Sequence, residues 1–122
     1  MVNGKTGEAE LNTRHAADGR HPPFITSFAL PATHIAWPEG TIMVAGAAAG
    51  TATAITTNDS EDIAEEDIVG ILETRVEANE GSGNILIHGS CPADILKWVD
   101  SGALADANED QIKALRGIGI YV

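Results

Sequence analysis

His88, Ser90 and Asp94 fall close together and are the residue types from which a nucleophile, base and acid relay is built. Such a relay depends on geometry rather than proximity, and Ser90 lacks the Gly-x-Ser-x-Gly turn that presents a catalytic hydroxyl. The simpler reading is that His88 ends a strand and Ser90 caps the turn at Pro92. If the three did converge, the chain would be a small β-barrel enzyme or ligand-binding domain using His88, Ser90 and Asp94. Cys91 needs an adjacent base and a lowered pKa to act as a nucleophile, and its expected role is a small buried residue. His15, His21 and His34 show no i, i+4 spacing and have no cysteine partner, so they do not describe a zinc site. Gly4-Lys5-Thr6 resembles the end of a phosphate-binding loop, but the upstream glycine would fall before residue 1. Gly81-Ser-Gly83 does not lead a strand into a helix, so it is no dinucleotide fingerprint. The acidic run from Asn58 to Asp67 lacks EF-hand spacing. No cofactor and no metal are expected, and the chain is not read as an enzyme.

The elements that would position these residues centre on one hairpin. Ile68 to Val76 alternates: Ile68, Gly70, Leu72, Thr74 and Val76 form a largely apolar face, and the other face turns wet at Glu73, Arg75 and Glu77. Ile85-Leu-Ile87 is a short apolar run of the kind a buried strand shows. A seven-residue loop, Glu77 to Gly83, joins the two, with Gly-Ser-Gly supplying turn residues. Upstream, Pro38-Glu-Gly40 reads as a turn. Strands are expected at Thr41–Ala45 and Thr51–Thr57, separated by the small-residue turn Gly46–Gly50.

Ser90 to Val99 reads as a short helix with Pro92 in its first turn and an apolar face of Ile95, Leu96, Trp98 and Val99, ended by Ser101-Gly102. Asp106 and Glu109 have capping-box spacing before a helix from about 107 to 116, with Gly117 as its C′ residue. Ile118 to Val122 returns to strand character. Trp37 and Trp98 are expected to be packing residues.

The chain carries 18 acids against 7 bases, for a net charge of −11. Most of the acids lie after residue 40. That balance disfavours nucleic acid, whose phosphates call for clustered Lys and Arg. No apolar run reaches the ~20 residues a bilayer span needs, and the polar N-terminus lacks the apolar core of a secretory signal. One cysteine excludes an internal disulfide and suits intracellular assembly. Few aromatics and a short compact part make oligomerisation a natural source of stability.

Residues 1 to 20 have too little apolar content to offset the entropy of ordering, and are expected to be flexible. Residues 21 to 37 are extended and proline-rich. Within them Phe24 to Leu30 has the composition of a strand. Two placements are open for it: packed on its own domain, or added to the sheet of another chain. The division is therefore an arm over 1–37 and a compact domain over 38–122. The fold class is β-rich α+β, a small β-barrel or sheet with one or two short helices.

The order of elements carries a resemblance. Val69-Gly-Ile-Leu72, Ile85-Leu-Ile-His-Gly89, Leu96 to Trp98 and Leu115-Arg-Gly-Ile118, at these distances from the C-terminus, resemble the lambda-type head decoration proteins of tailed bacteriophages. The resemblance covers roughly residues 38 to 122. It implies a homotrimer on the outer surface of the virion, made in the host cytoplasm. It further implies a seat at threefold and quasi-threefold positions of the expanded shell, with the major capsid protein as partner. In that family the N-terminal segment becomes ordered on the capsid and adds backbone pairing to it. This chain departs from the family in its longer, proline-punctuated arm. The expected shell contacts are Phe24, Ile25, Phe28 and Leu30, the apolar members of the strand-like part.

Overall fold

The two apolar runs of the expected hairpin pair with each other, but the first strand stops at Leu72 rather than Val76 and the second already begins at Ser82, inside the expected loop. In a computed structural model that describes residues 23–31, 34–57, 63 and 67–122, β4 (Ile68–Leu72) and β5 (Ser82–Ser90) run antiparallel, with Ile71 opposite Leu86 and Leu72 opposite Ile85. Its faces differ from the alternating expectation. Ile71 and Leu72 are successive residues and both are fully buried, so neither face of β4 is wet at this point. Glu73, expected in solvent, is buried as well.

The reason is that the sheet is covered on both sides. The strands β1 (Phe24–Ala29), β2 (Ile42–Ala45) and β3 (Ala52–Ala54) extend it in the order β1-β5-β4-β2-β3. On one face Ile42, Ile71 and Leu86 pack with Cys91, Leu96, Trp98, Leu115 and Ile120. On the other, Met43, Leu72 and Ile85 pack with Leu30, Trp37, Ala52, Ala54, Val76 and Val99. Adjacent residues on each central strand thus feed two separate cores, as period-2 geometry requires. Each such Ile or Leu contributes about 1.5–3 kcal/mol by leaving water.

Gly70 makes the close pairing possible. It has φ 154°, and a Cβ there would collide with the Leu86 carbonyl oxygen, so a side chain would force β4 away from β5.

The segment after Pro92 departs from the expected helix. Only one 3-10 turn forms, at Ala93–Ile95, and the chain then extends as β6 (Lys97–Asp100), paired with β7 (Ala103–Asp106). Ser101 and Gly102 are its two turn residues, both with positive φ, as a tight hairpin needs. Two long-range bonds favour the strand: Lys97 N–H donates to Gly40 O at 3.1 Å and Val99 N–H to Ile55 O at 3.0 Å. Trp98 and Val99 point into opposite cores, which a strand allows and one helix face does not.

The C-terminal part of the chain forms an α-helix, α1 (Glu109–Gly117). Its N-cap is Asn108, not Asp106. Asn108 Oδ1 accepts from Gln111 N–H at 3.0 Å, and Gln111 Oε1 accepts from Asn108 N–H at 2.9 Å. Asp106 is held at the hairpin instead, where Lys97 reaches its carboxylate and Trp98 Nε1 donates to its carbonyl at 3.1 Å. Gly117 lies within the helix, and the left-handed turn comes two residues later, at Gly119 with φ 99°. The last strand, β8 (Ile120–Tyr121), pairs parallel with the end of β5.

The result is a β-rich domain with an open sheet rather than a closed barrel. Among the described residues, the two ends of the path, β1 and β3, are linked by a single β-bridge, between Ala29 and Thr51. The strand expected at 51–57 is regular only to Ala54. The expectations for residues 1–20, His15 and His21 lie outside the described residues, as does most of the acidic run after Asn58.

Candidate functional site

Strand β1 lies against β5 of its own chain, with Thr26 opposite Ile85, Ser27 opposite Asn84 and Phe28 opposite Gly83. Backbone direction follows from two bonds at its end. Leu30 N–H donates to Gly81 O on the β5 side, whereas Ala29 N–H donates to Gly50 O on the other. Peptide groups alternate along a strand, so those of Ile25 and Ser27 point away from β5. Among the described residues no strand covers that outer edge beyond the Ala29–Thr51 bridge.

The four expected contact residues divide. Phe24 and Ile25 are 62% and 45% exposed. Phe28 is half-buried and Leu30 is buried, both packed against the second core, where they fasten β1 to the domain. Within β1 there is no charge and no proline, the devices by which edge strands are commonly kept from pairing. An edge of this kind offers backbone donors and acceptors to a partner strand, with Phe24 and Ile25 beside them.

Phe24 also reaches the end of β5. Its ring lies 5.8 Å from that of His88, and His88 in turn meets the Tyr121 ring edge-on at 6.0 Å. Gly119 packs flat on this imidazole, since a Cβ there would come within 2.6 Å of Nδ1. His88 is thus one member of an aromatic row built from the arm, β5 and the C-terminal strand. Ser90 is only 1% exposed, and Asp94 stands in solvent on the 3-10 turn. A substrate in solution meets the carboxylate of that group but not the hydroxyl. Cys91 is buried in the first core and forms no disulfide.

Sequence reasoning missed the role of His34. Its backbone N–H donates to Asn79 Oδ1 at 3.2 Å. Its ring nitrogens face two carbonyl oxygens, Ile35 O at 2.6 Å from Nδ1 and Glu80 O at 2.8 Å from Nε2. The ring stacks on Trp37 at 4.2 Å between centroids. These contacts pin the connector between β1 and β2 to the β4–β5 loop. On that loop the hydrogen bond and charge of Glu77 raise the pKa of Arg75 above its ordinary value, in an exposed pair of little structural weight.

Among the described residues no group of three or more His, Cys, Asp or Glu side chains could hold a metal ion. Among them, too, no helix is long and apolar enough to cross a membrane. No family model matches this chain, and no curated protein matches it significantly.

Proposed function

We propose that this chain is a capsid decoration protein: a structural, non-enzymatic protein that seats as a homotrimer on the outside of an expanded phage shell. It binds the major capsid protein at threefold and quasi-threefold positions and stabilises the shell against the pressure of packaged DNA. The observation that carries the reading furthest is the uncharged outer edge of β1, with Phe24 and Ile25 exposed beside it. That edge suits backbone pairing with a strand of the shell. The buried hydroxyl of Ser90 weighs against the rival hydrolase or ligand-binding reading built on His88, Ser90 and Asp94.

The energetics of the role follow from mass action. A protein that binds only the expanded lattice stabilises that state by about 2.7 kcal/mol per site at a hundredfold excess over Kd. Many sites together oppose expansion stress without any one contact being strong, and a trimer gains further from effective concentration. A charge of −11 discourages contact with packaged DNA and suits an outer position.

The test is co-sedimentation with expanded and unexpanded shells, followed by cryo-EM of the pellet. Selective binding to the expanded form, with density on the outer wall, supports the proposal. Density on the inner wall, or no binding to either form, refutes it.

A further inference from the structure

One region of the chain is almost free of charge. From His21 to Asn58 the only acid is Glu39, and there is no Lys or Arg, although the whole chain carries 18 acids. The structure gathers parts of this region into two adjoining concavities. One, of about 230 Å³, is lined by Pro31, His34, Ile35, Trp37, Thr53 and Thr56, with other residues. The second, of about 390 Å³, is lined by Ala47, Ala48 and Thr51 and shares Pro31 and Thr53 with the first. They form one trough beside the open seam between β1 and β3. Apart from His34, no described residue lining it is ionisable. Ile35 stands 43% exposed in its wall, and His34 holds the connector that carries Ile35 in place.

We infer that this trough is the face through which copies of the chain meet one another. The assignment rests on the trimer reading above and names its interface. The argument is electrostatic. Two molecules of charge −11 repel, and a contact that placed acids of one copy against acids of the next would cost several kcal/mol. A basic partner would be met with the acidic part of the surface. A partner as acidic as the chain itself has to be met where acids are absent, and among the described residues the trough's lining is such a place. Apolar and small side chains with a few hydroxyls also match the composition of interface centres, from which charge is depleted. A closed ring of three is built from heterologous contacts, so a concave face on one copy can receive a different, protruding face of the next.

The experiment places a carboxylate in the trough at either of two exposed positions, Ile35→Glu and Ala48→Glu. Leu104→Glu on the β6–β7 hairpin is the control outside it. Melting temperature and circular dichroism establish folding. Sedimentation velocity over a concentration series then measures assembly. Both trough variants should raise the dissociation constant at least about tenfold, with partial recovery at high salt, while the control assembles as the parent does. Trimers of unchanged affinity in both trough variants overturn the assignment of the face and leave the trimer standing. A parent chain that is monomeric throughout the series removes the trimer reading, and this inference with it.

Discussion

A disulfide between β1 and β5 tests where the arm strand sits. Ser27 and Asn84 are opposite one another in the antiparallel register. Their peptide groups point away from each other, because Ala29 N–H bonds outward to Gly50 O and the Asn84 carbonyl accepts from Glu73 N–H on the β4 side. They therefore form a non-hydrogen-bonded pair, whose Cα atoms lie about 4.5 Å apart, at the short end of the range a disulfide spans. Ser27→Cys with Asn84→Cys closes a loop of roughly 60 residues, for which the chain-entropy relation gives about 4 kcal/mol as an upper figure. For a domain of about 100 residues that corresponds to a rise in Tm of at most about 20 °C. Cys91 is fully buried and does not compete for oxidation.

The assay compares oxidised and reduced protein by thermal melting and non-reducing gel electrophoresis. The expected product is an internal disulfide with a higher Tm. Cross-links between chains with no internal bond formed would refute the placement of β1 on its own sheet. The same two samples bear on capsid binding. If the outer edge of β1 receives the shell strand, locking the inner edge leaves decoration intact. Loss of binding on oxidation, restored by reductant, would show that β1 has to leave β5, contrary to the outer-edge reading.

Three further outcomes are expected. Leu86→Ala empties a fully buried position in the first core and should cost about 2–5 kcal/mol in urea unfolding. Asn108→Ala removes the side-chain acceptor of the α1 cap and should cost about 1 kcal/mol, read as a lower Tm with the sheet intact. Phe24→Asp with Ile25→Asp changes exposed side chains on β1, so stability should move by only about 0.5 kcal/mol or less per site while capsid co-sedimentation falls; unchanged co-sedimentation would clear these two residues of shell contact.

Local pattern was enough for several elements. Apolar runs on either side of Glu77–Gly83 specified the β4–β5 hairpin. Polar helix-forming residues before Arg116 specified α1. The apolar ending Ile118–Val122 required a sheet to hold it, and β5 does so through Gly89 and Ser90. Local pattern misled where a short apolar run fits two periods. Ile95, Leu96, Trp98 and Val99 satisfy a helical stripe, but pairing with Gly40 and Ile55, far away in sequence, made the segment a strand. The cap moved from Asp106 to Asn108 for a similar reason, since the β6–β7 hairpin had already engaged Asp106.

The candidate site divides along the same line. Composition alone marked Phe24–Leu30 as an uncharged strand and made His88, Ser90 and Asp94 an unconvincing relay. Tertiary structure decided that Phe24 and Ile25 face solvent while Leu30 enters a core, and that His34 is fastened to Asn79 and Glu80 across more than 40 residues. It also brought Pro31, His34, Ile35 and Trp37 together with Ala47, Ala48, Thr51 and Thr53 into one trough. The sequence by itself determined which segments carry charge and which can extend, because those properties belong to each residue and its neighbours. Which uncharged surfaces are buried and which are left for a partner depends on contacts between distant segments, and only folding makes those.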